Sequence, residues 1–151
     1  MQIREIMTSD PEACLPFDTC AQAGAVMRRR RCGFVPVIDS HLTKRVVGVV
    51  TDRDLALYLT GSRRLADQTP VEACMTRAVQ AIAPSASLDE AAKLMERAAV
   101  HRLPVVEADR LIGVLSLKDI AVAADKRWGF AESRVAEQKL GEIIEAIAAA
   151  R

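Results

Sequence analysis

The chain has 151 residues, of which 50% are hydrophobic, 27% charged and 3% aromatic, and its formal net charge is +1. This apolar content excludes a disordered chain, and the near-zero charge excludes a global field that would recruit nucleic acid or an anionic membrane. No apolar run approaches the roughly 18 residues needed to span a bilayer, and Met1-Gln2-Ile3-Arg4-Glu5 lacks the layout of a secretory signal. Cys14, Cys20, Cys32 and Cys74 contain no CxxC pair and no disulfide-framework density, so reduced thiols in a cytoplasmic protein are expected.

An internal repeat orders the chain. Ile3-Arg-Glu-Ile-Met7-Thr8 matches Val71-Glu-Ala-Cys-Met75-Thr76 at an offset of 68 residues. At the same offset Val35-Pro36-Val37-Ile38-Asp39 matches Leu103-Pro104-Val105-Val106-Glu107. The offset then falls to 65, where Gly48-Val-Val-Thr51-Asp-Arg-Asp54 matches Gly113-Val-Leu-Ser116-Leu-Lys-Asp119.

The leading segment of each repeat is expected to be a short strand. Thr19 with Gln22, and Ser87 with Glu90, form two capping boxes that open helices. In the second of these helices Leu88, Ala91, Ala92, Met95, Ala98 and Ala99 fall on one stripe. The run Arg28-Arg29-Arg30-Arg31 closes the first, where the helix dipole favours cations. β-Branched runs then predict strands over 35–38 and 46–50, and over 103–106 and 111–115, joined by polar hairpin loops at 41–45 and 108–110. A further helix follows each pair, at about 52–59 and 117–125. The fold class is α/β (α+β): two strand–helix–strand–strand–helix repeats in one compact body. The expected divisions are 1–62, 63–124 and a helical extension, 125–151. In that extension Trp128-Gly129-Phe130 predicts a loop or hinge. Val135, Ala136, Leu140, Ile143, Ile144 and Ile147 then form an amphipathic stripe, which should pack on its own body or a sister subunit, with an output element that docks on a partner as the alternative.

The chemistry sits at the second helix starts. Gly48 and Gly113 let another backbone approach closely. Thr51 and Ser116 stand at helix N-caps, where unpaired amides favour negative charge, and Asp54 and Asp119 follow in the first turn. One such carboxylate can accept both hydroxyls of a ribose cis-diol. The same Thr/Ser-x-x-Asp spacing is also an imperfect capping box, which any helix start could use.

The tandem GVVTDRD and GVLSLKD stretches, each after a hydrophobic-Pro-Val strand, resemble the CBS domain family over about residues 1–124. The resemblance implies two pseudo-twofold-related repeats paired in a stand-alone, bacterial-type Bateman module. It also implies adenosine-containing ligands (AMP, ADP, ATP or NAD-like) in clefts between repeats, a regulatory rather than enzymatic role, and a homodimer. Under it Thr51, Asp54, Ser116 and Asp119 hold ribose and phosphate oxygens, with charge from Arg53 and Lys118. His101-Arg102 before Leu103-Pro104-Val105 resembles a repeat of the AMP-activated kinase's nucleotide-sensing subunit, in which His and Arg meet phosphates. The first repeat has Gly33-Phe34 there, so the two clefts should differ in phosphate preference.

No HExxH, GxSxG, P-loop or zinc-ligand spacing is present. No catalytic or metal-binding residue is therefore expected, and no cofactor is required. Low aromatic content argues against nucleic acid. An effector protein is expected but not identified, and a ligand-free oligomerisation or interaction scaffold is the competing reading.

Overall fold

The computed structural model describes residues 1–125 and 130–149. Thr8–Ser9 form β1, Cys20–Arg30 α1, Phe34–Ile38 β2, Val46–Thr51 β3 and Asp52–Ser62 α2. Leu88–Ala98 form α3, Arg102–Glu107 β4, Arg110–Ser116 β5, Leu117–Asp125 α4 and Phe130–Ala149 α5. Single 3₁₀ turns occur at Ile3–Glu5, Ala66–Gln68 and Val71–Ala73. One sheet has the order β1-β5-β4, and β2 pairs antiparallel with β3 in a second.

The chain forms two compact units. The first-repeat unit is Pro11–Val79 with Asp109–Leu111; the second-repeat unit is Met1–Asp10, Gln80–Ala108 and the chain from Ile112 onward. The leading segment of each repeat therefore folds with the other repeat's hairpin. In the second-repeat unit Thr8 and Ser9 pair antiparallel with Val114 and Gly113. In the first-repeat unit Thr76 bridges Val49, with both N–H···O bonds made (2.8 and 2.9 Å). The expected leading strands are thus reduced to two residues in one unit and one bridge in the other. The 3₁₀ turns just before them account for this, because they take up Ile3–Glu5 and Val71–Ala73.

Both capping boxes form. Thr19 Oγ1 accepts from Gln22 N–H (3.2 Å), and Ser87 Oγ from Glu90 N–H (3.2 Å). α1 and α3 then stop at left-handed Arg31 (φ 51) and Ala99 (φ 51). Ala99 accordingly leaves the expected stripe and is exposed, while Leu88, Ala91, Ala92 and Met95 are buried. The long hairpin loop folds around Asp39. Its carboxylate accepts from Ser40 N–H (2.7 Å), the Thr43 hydroxyl (2.6 Å) and Arg45 N–H (3.0 Å). The short loop is Ala108-Asp109, both left-handed, and the strand resumes at Arg110. That is the twist a two-residue hairpin turn requires.

α5 packs on α3 and α4 of its own unit, as in the expectation that the extension covers its own body. Ile143 is fully buried with Leu88, Met95, Leu103 and Ile120, and Leu140 packs beside them. Val135 and Ile144 of the same helix remain half-exposed. The expected hinge at residues 128–129, and the side chains of Phe130, Ala136 and Ile147, lie outside the described residues. Among the described residues, no helix is long and apolar enough to cross a membrane.

Candidate functional site

Each site begins where a strand runs directly into a helix. β3 ends at Thr51, whose extended backbone (φ −113, ψ 162) caps α2. Asp54 N–H donates to Thr51 Oγ1 (3.1 Å), while Asp54 Oδ2 accepts from Thr51 N–H (2.9 Å) and from its hydroxyl (2.8 Å). The second repeat duplicates this. Asp119 N–H donates to Ser116 Oγ (3.3 Å), and Asp119 Oδ2 accepts from Ser116 N–H (2.7 Å) and Oγ–H (2.6 Å). The capping role of both aspartates is therefore real. It uses only Oδ2, and a carboxylate has a second acceptor oxygen.

Asp119 Oδ1 receives the Thr8 hydroxyl at 3.4 Å, a long bond. Thr8 was not singled out from the sequence as a site residue, although the Met-Thr pair at 7–8 recurs at 75–76. That duplicated pair also explains the motif glycines. A Cβ on Gly113 would stand 2.5 Å from Met7 Sδ and 3.1 Å from Thr8 O; one on Gly48 would stand 2.7 Å from Met75 Sδ and 3.1 Å from Thr76 O. Glycine is required because the Met-Thr backbone closes over the strand beside the helix start.

In the second-repeat unit the His101 carbonyl accepts Leu117 N–H (3.1 Å), which sets His101-Arg102 against the start of α4. His101 is exposed and Arg102, first in β4, is half-buried. This unit thus brings Ser116, Lys118, Asp119, His101 and Arg102 to one strand–helix corner. Thr51, Arg53 and Asp54 share the corresponding corner of the first-repeat unit, with Gly33 O accepting Asp52 N–H (3.2 Å). Phe34 there is buried in β2 and offers no polar group. Arg53 and Lys118 are both exposed.

Other candidate groups are occupied elsewhere. Arg29 (2.7 Å) and Arg30 (2.6 Å) both grip Glu12, and these bonds hold the Glu12 carboxyl below its usual range. The arginine run is thus partly a structural clamp. All four cysteines are free. Cys20 Sγ lies 3.8 Å from Cys74 Sγ. Burial first, then the Cys20 contact, pushes the Cys74 thiol up to about 12, and burial pushes Cys14 up to about 11. Protonated thiols of this kind are poor nucleophiles at neutral pH. Among the described residues, no group of three or more His, Cys, Asp or Glu is placed to hold a metal ion.

Comparison with known proteins agrees with this duplicated geometry. The CBS domain family model matches residues 3–61 and again 71–126. The CBS domain-containing protein YhcV of Bacillus subtilis is 31% identical over 91% of this chain and 97% of its own length. Inosine-5'-monophosphate dehydrogenase of Staphylococcus saprophyticus is 31% identical over 74% of this chain, but that match spans only 22% of the enzyme. The crystal structure of CBSX2 in complex with AMP is similar with a TM-score of 0.68 and 31% identity, covering 82% of this chain and 95% of that one. The chain is a member of the CBS domain family, carrying two CBS repeats.

Proposed function

We propose that this protein is a non-enzymatic regulatory module that binds an adenosine-containing nucleotide, with AMP, ADP, ATP and NAD-like molecules as candidates. Its sites are the two strand–helix corners. Asp54 and Asp119 hold the ribose hydroxyls through Oδ1, while Thr51 and Ser116 hold a ribose or phosphate oxygen. Arg53 supplies charge at one corner; His101, Arg102 and Lys118 supply it at the other. The observation that carries this reading is the duplicated cap, which engages one carboxylate oxygen of each aspartate for folding and does not engage Asp54 Oδ1. The AMP complex of CBSX2, at 31% identity, supports the ligand class.

Occupancy would be signalled through a homodimer or an effector protein. Leu57 on α2 and Val122 on α4 hold equivalent repeat positions and are both exposed, at 61% and 43%. Apolar positions of this kind suit a helix-to-helix contact with a second copy. The competing reading is a ligand-free scaffold, favoured by the fact that capping alone gives both aspartates a structural use.

Thermal-shift titration with AMP, ADP, ATP, NAD and S-adenosylmethionine decides between them. A ligand at 100 times its dissociation constant adds about 2.7 kcal/mol of stability. Asp54→Ala and Asp119→Ala should each weaken binding at their own corner about tenfold or more, since bonds to a charged acceptor contribute about 1.5–3 kcal/mol. No shift with any member of the panel, or full affinity retained in the double variant, leaves the scaffold.

A further inference from the structure

Gly33 and His101 occupy equivalent places, each giving its carbonyl to the first amide of the following helix (Asp52 N–H at 3.2 Å, Leu117 N–H at 3.1 Å). Their surroundings differ in a way the repeat alignment alone does not show. A Cβ on Gly33 would lie 2.5 Å from Asp52 Oδ2, 2.8 Å from its Cγ and 3.0 Å from Oδ1. The Asp52 carboxylate therefore fills the space that a side chain at position 33 would take. Arg53 N–H steadies it through Oδ1 (2.8 Å). The second repeat has Leu117 in place of Asp52, and an imidazole at the glycine's position.

Counted over the charged residues of the two helix starts and of the strand entry at 101–102, the corners differ by two charges. Asp52, Arg53 and Asp54 sum to one negative charge; Arg102, Lys118 and Asp119 sum to one positive charge, and His101 adds to it when protonated. Of the four arginines ahead of Gly33, Arg29 and Arg30 are held by Glu12.

Resting on the ligand reading above, we propose that Asp52 sets the specificity of the first-repeat site. It disfavours a 5′-phosphate and selects an adenosine-type nucleoside whose 5′ substituent is neutral or cationic, such as a sulfonium. The second-repeat site takes the phosphorylated nucleotide. A fixed carboxylate within several Å of a bound phosphate acts against it by about tenfold or more in affinity, even with solvent screening.

Isothermal titration of the full chain with adenosine, AMP and S-adenosylmethionine tests this. Asp119→Ala leaves the first-repeat site, and it should bind adenosine or S-adenosylmethionine at least as tightly as AMP. Asp54→Ala leaves the second-repeat site, and it should prefer AMP by about tenfold. Asp52→Asn in the otherwise unchanged chain keeps the Thr51–Asp54 cap, so folding is preserved. It should raise AMP affinity of the weaker site about tenfold and leave adenosine affinity as it was. An AMP preference in Asp119→Ala that matches Asp54→Ala, or an Asp52→Asn ratio equal to wild type, overturns the role of Asp52 while the ligand reading stands. Absence of binding by all three compounds to wild type overturns the ligand reading, and this inference with it.

Discussion

The two units repeat one backbone and differ in what covers it. Val71 N–H to Asp18 O (2.8 Å) and Glu72 N–H to Pro16 O (3.0 Å) in the first-repeat unit correspond to Ile3 N–H to Ala86 O (3.0 Å) and Arg4 N–H to Pro84 O (2.9 Å) in the second. Cys14 N–H to Pro36 O (2.9 Å) corresponds to Ile82 N–H to Pro104 O (3.0 Å). Beyond α2, the Ala66–Gln68 turn lies on α1, Thr69 is buried, and its carbonyl takes Cys20 N–H (2.8 Å). Beyond α4 it is a 20-residue helix, α5, that lies on α3 and α4. The lining differs too: in the first-repeat unit Cys14, Cys20, Cys32 and Cys74 stand where the second-repeat unit has Ile82, Leu88, Val100 and Ile6. Hydrogen bonds that fix the shared frame are made by the main chain, so duplication preserves them through side-chain change. The cover and the corner side chains carry no such constraint, and there the units diverge.

The largest expected break in that comparison is Ile143→Ala. The side chain is fully buried and has no counterpart in the first-repeat unit. Removing three of its carbons should cost about 2–4 kcal/mol in denaturant unfolding. Amide exchange should quicken in α3 and β4 and stay unchanged in β2 and β3. Equal loss of protection in β2 and β3 would mean that the units open together and α5 stabilises both. No loss anywhere would mean that α5 covers α3 and α4 without adding to the core.

The motif glycines give a smaller effect that should be the same in both units. Gly48→Ala and Gly113→Ala each set a methyl group against a methionine sulfur and a threonine carbonyl, so each should destabilise by about 1–3 kcal/mol. Gly24, inside α1, has nothing within 4 Å of its would-be Cβ. Gly24→Ala should therefore gain about 0.5–1 kcal/mol. Thermal melts of the three variants check the contrast, and a neutral Gly113→Ala would show that Met7 swings aside freely.

These glycines also show how far the sequence could be read. Their spacing before Thr51 and Ser116 announces a close approach, the caps and hairpins follow from residues near each other in the chain, and the repeat follows from matching one stretch to another. The partners in that approach are dozens of residues away, Met7 and Thr8 for Gly113, Met75 and Thr76 for Gly48, and no local pattern names them. The extent of the leading strands is hidden in the same way, since their pairing depends on a distant hairpin. Asp52 is the sharper case. As a residue it looks like an ordinary acid in a first helical turn, and only folding sets its carboxylate where a side chain on Gly33 would be.

The smallest effect concerns how α5 is held. Lys139 on α5 meets Asp89 on α3 at 2.6 Å, and Lys93 meets the same carboxylate at 2.7 Å. The Lys139 bond first, then that of Lys93, draws the Asp89 carboxyl down to about 2, while the Lys139 ammonium is raised and stays charged throughout. An unfolded aspartate titrates at about 3.9. A folded value below the unfolded one means that the contribution is complete above about pH 4 and is lost as pH falls toward 2. Asp89 is 45% exposed, so solvent and salt screen the pair and its contribution is small. Glu142 is also lowered, by its bond to Lys139 first and then to Gln138, whereas Glu12 and Asp39 are lowered in the first-repeat unit by groups of their own. Acid therefore loosens both units, and the wild-type profile alone cannot assign the loss. Lys139→Met isolates it: the variant should melt slightly below wild type at pH 6, and the gap should close between pH 4 and 2. In 1 M salt the gap at pH 6 should shrink as well. A gap that persists unchanged at pH 2 would mean that Lys139 acts through its aliphatic stem against α3, beside Ile143 and its apolar neighbours, and that its ion pair adds nothing.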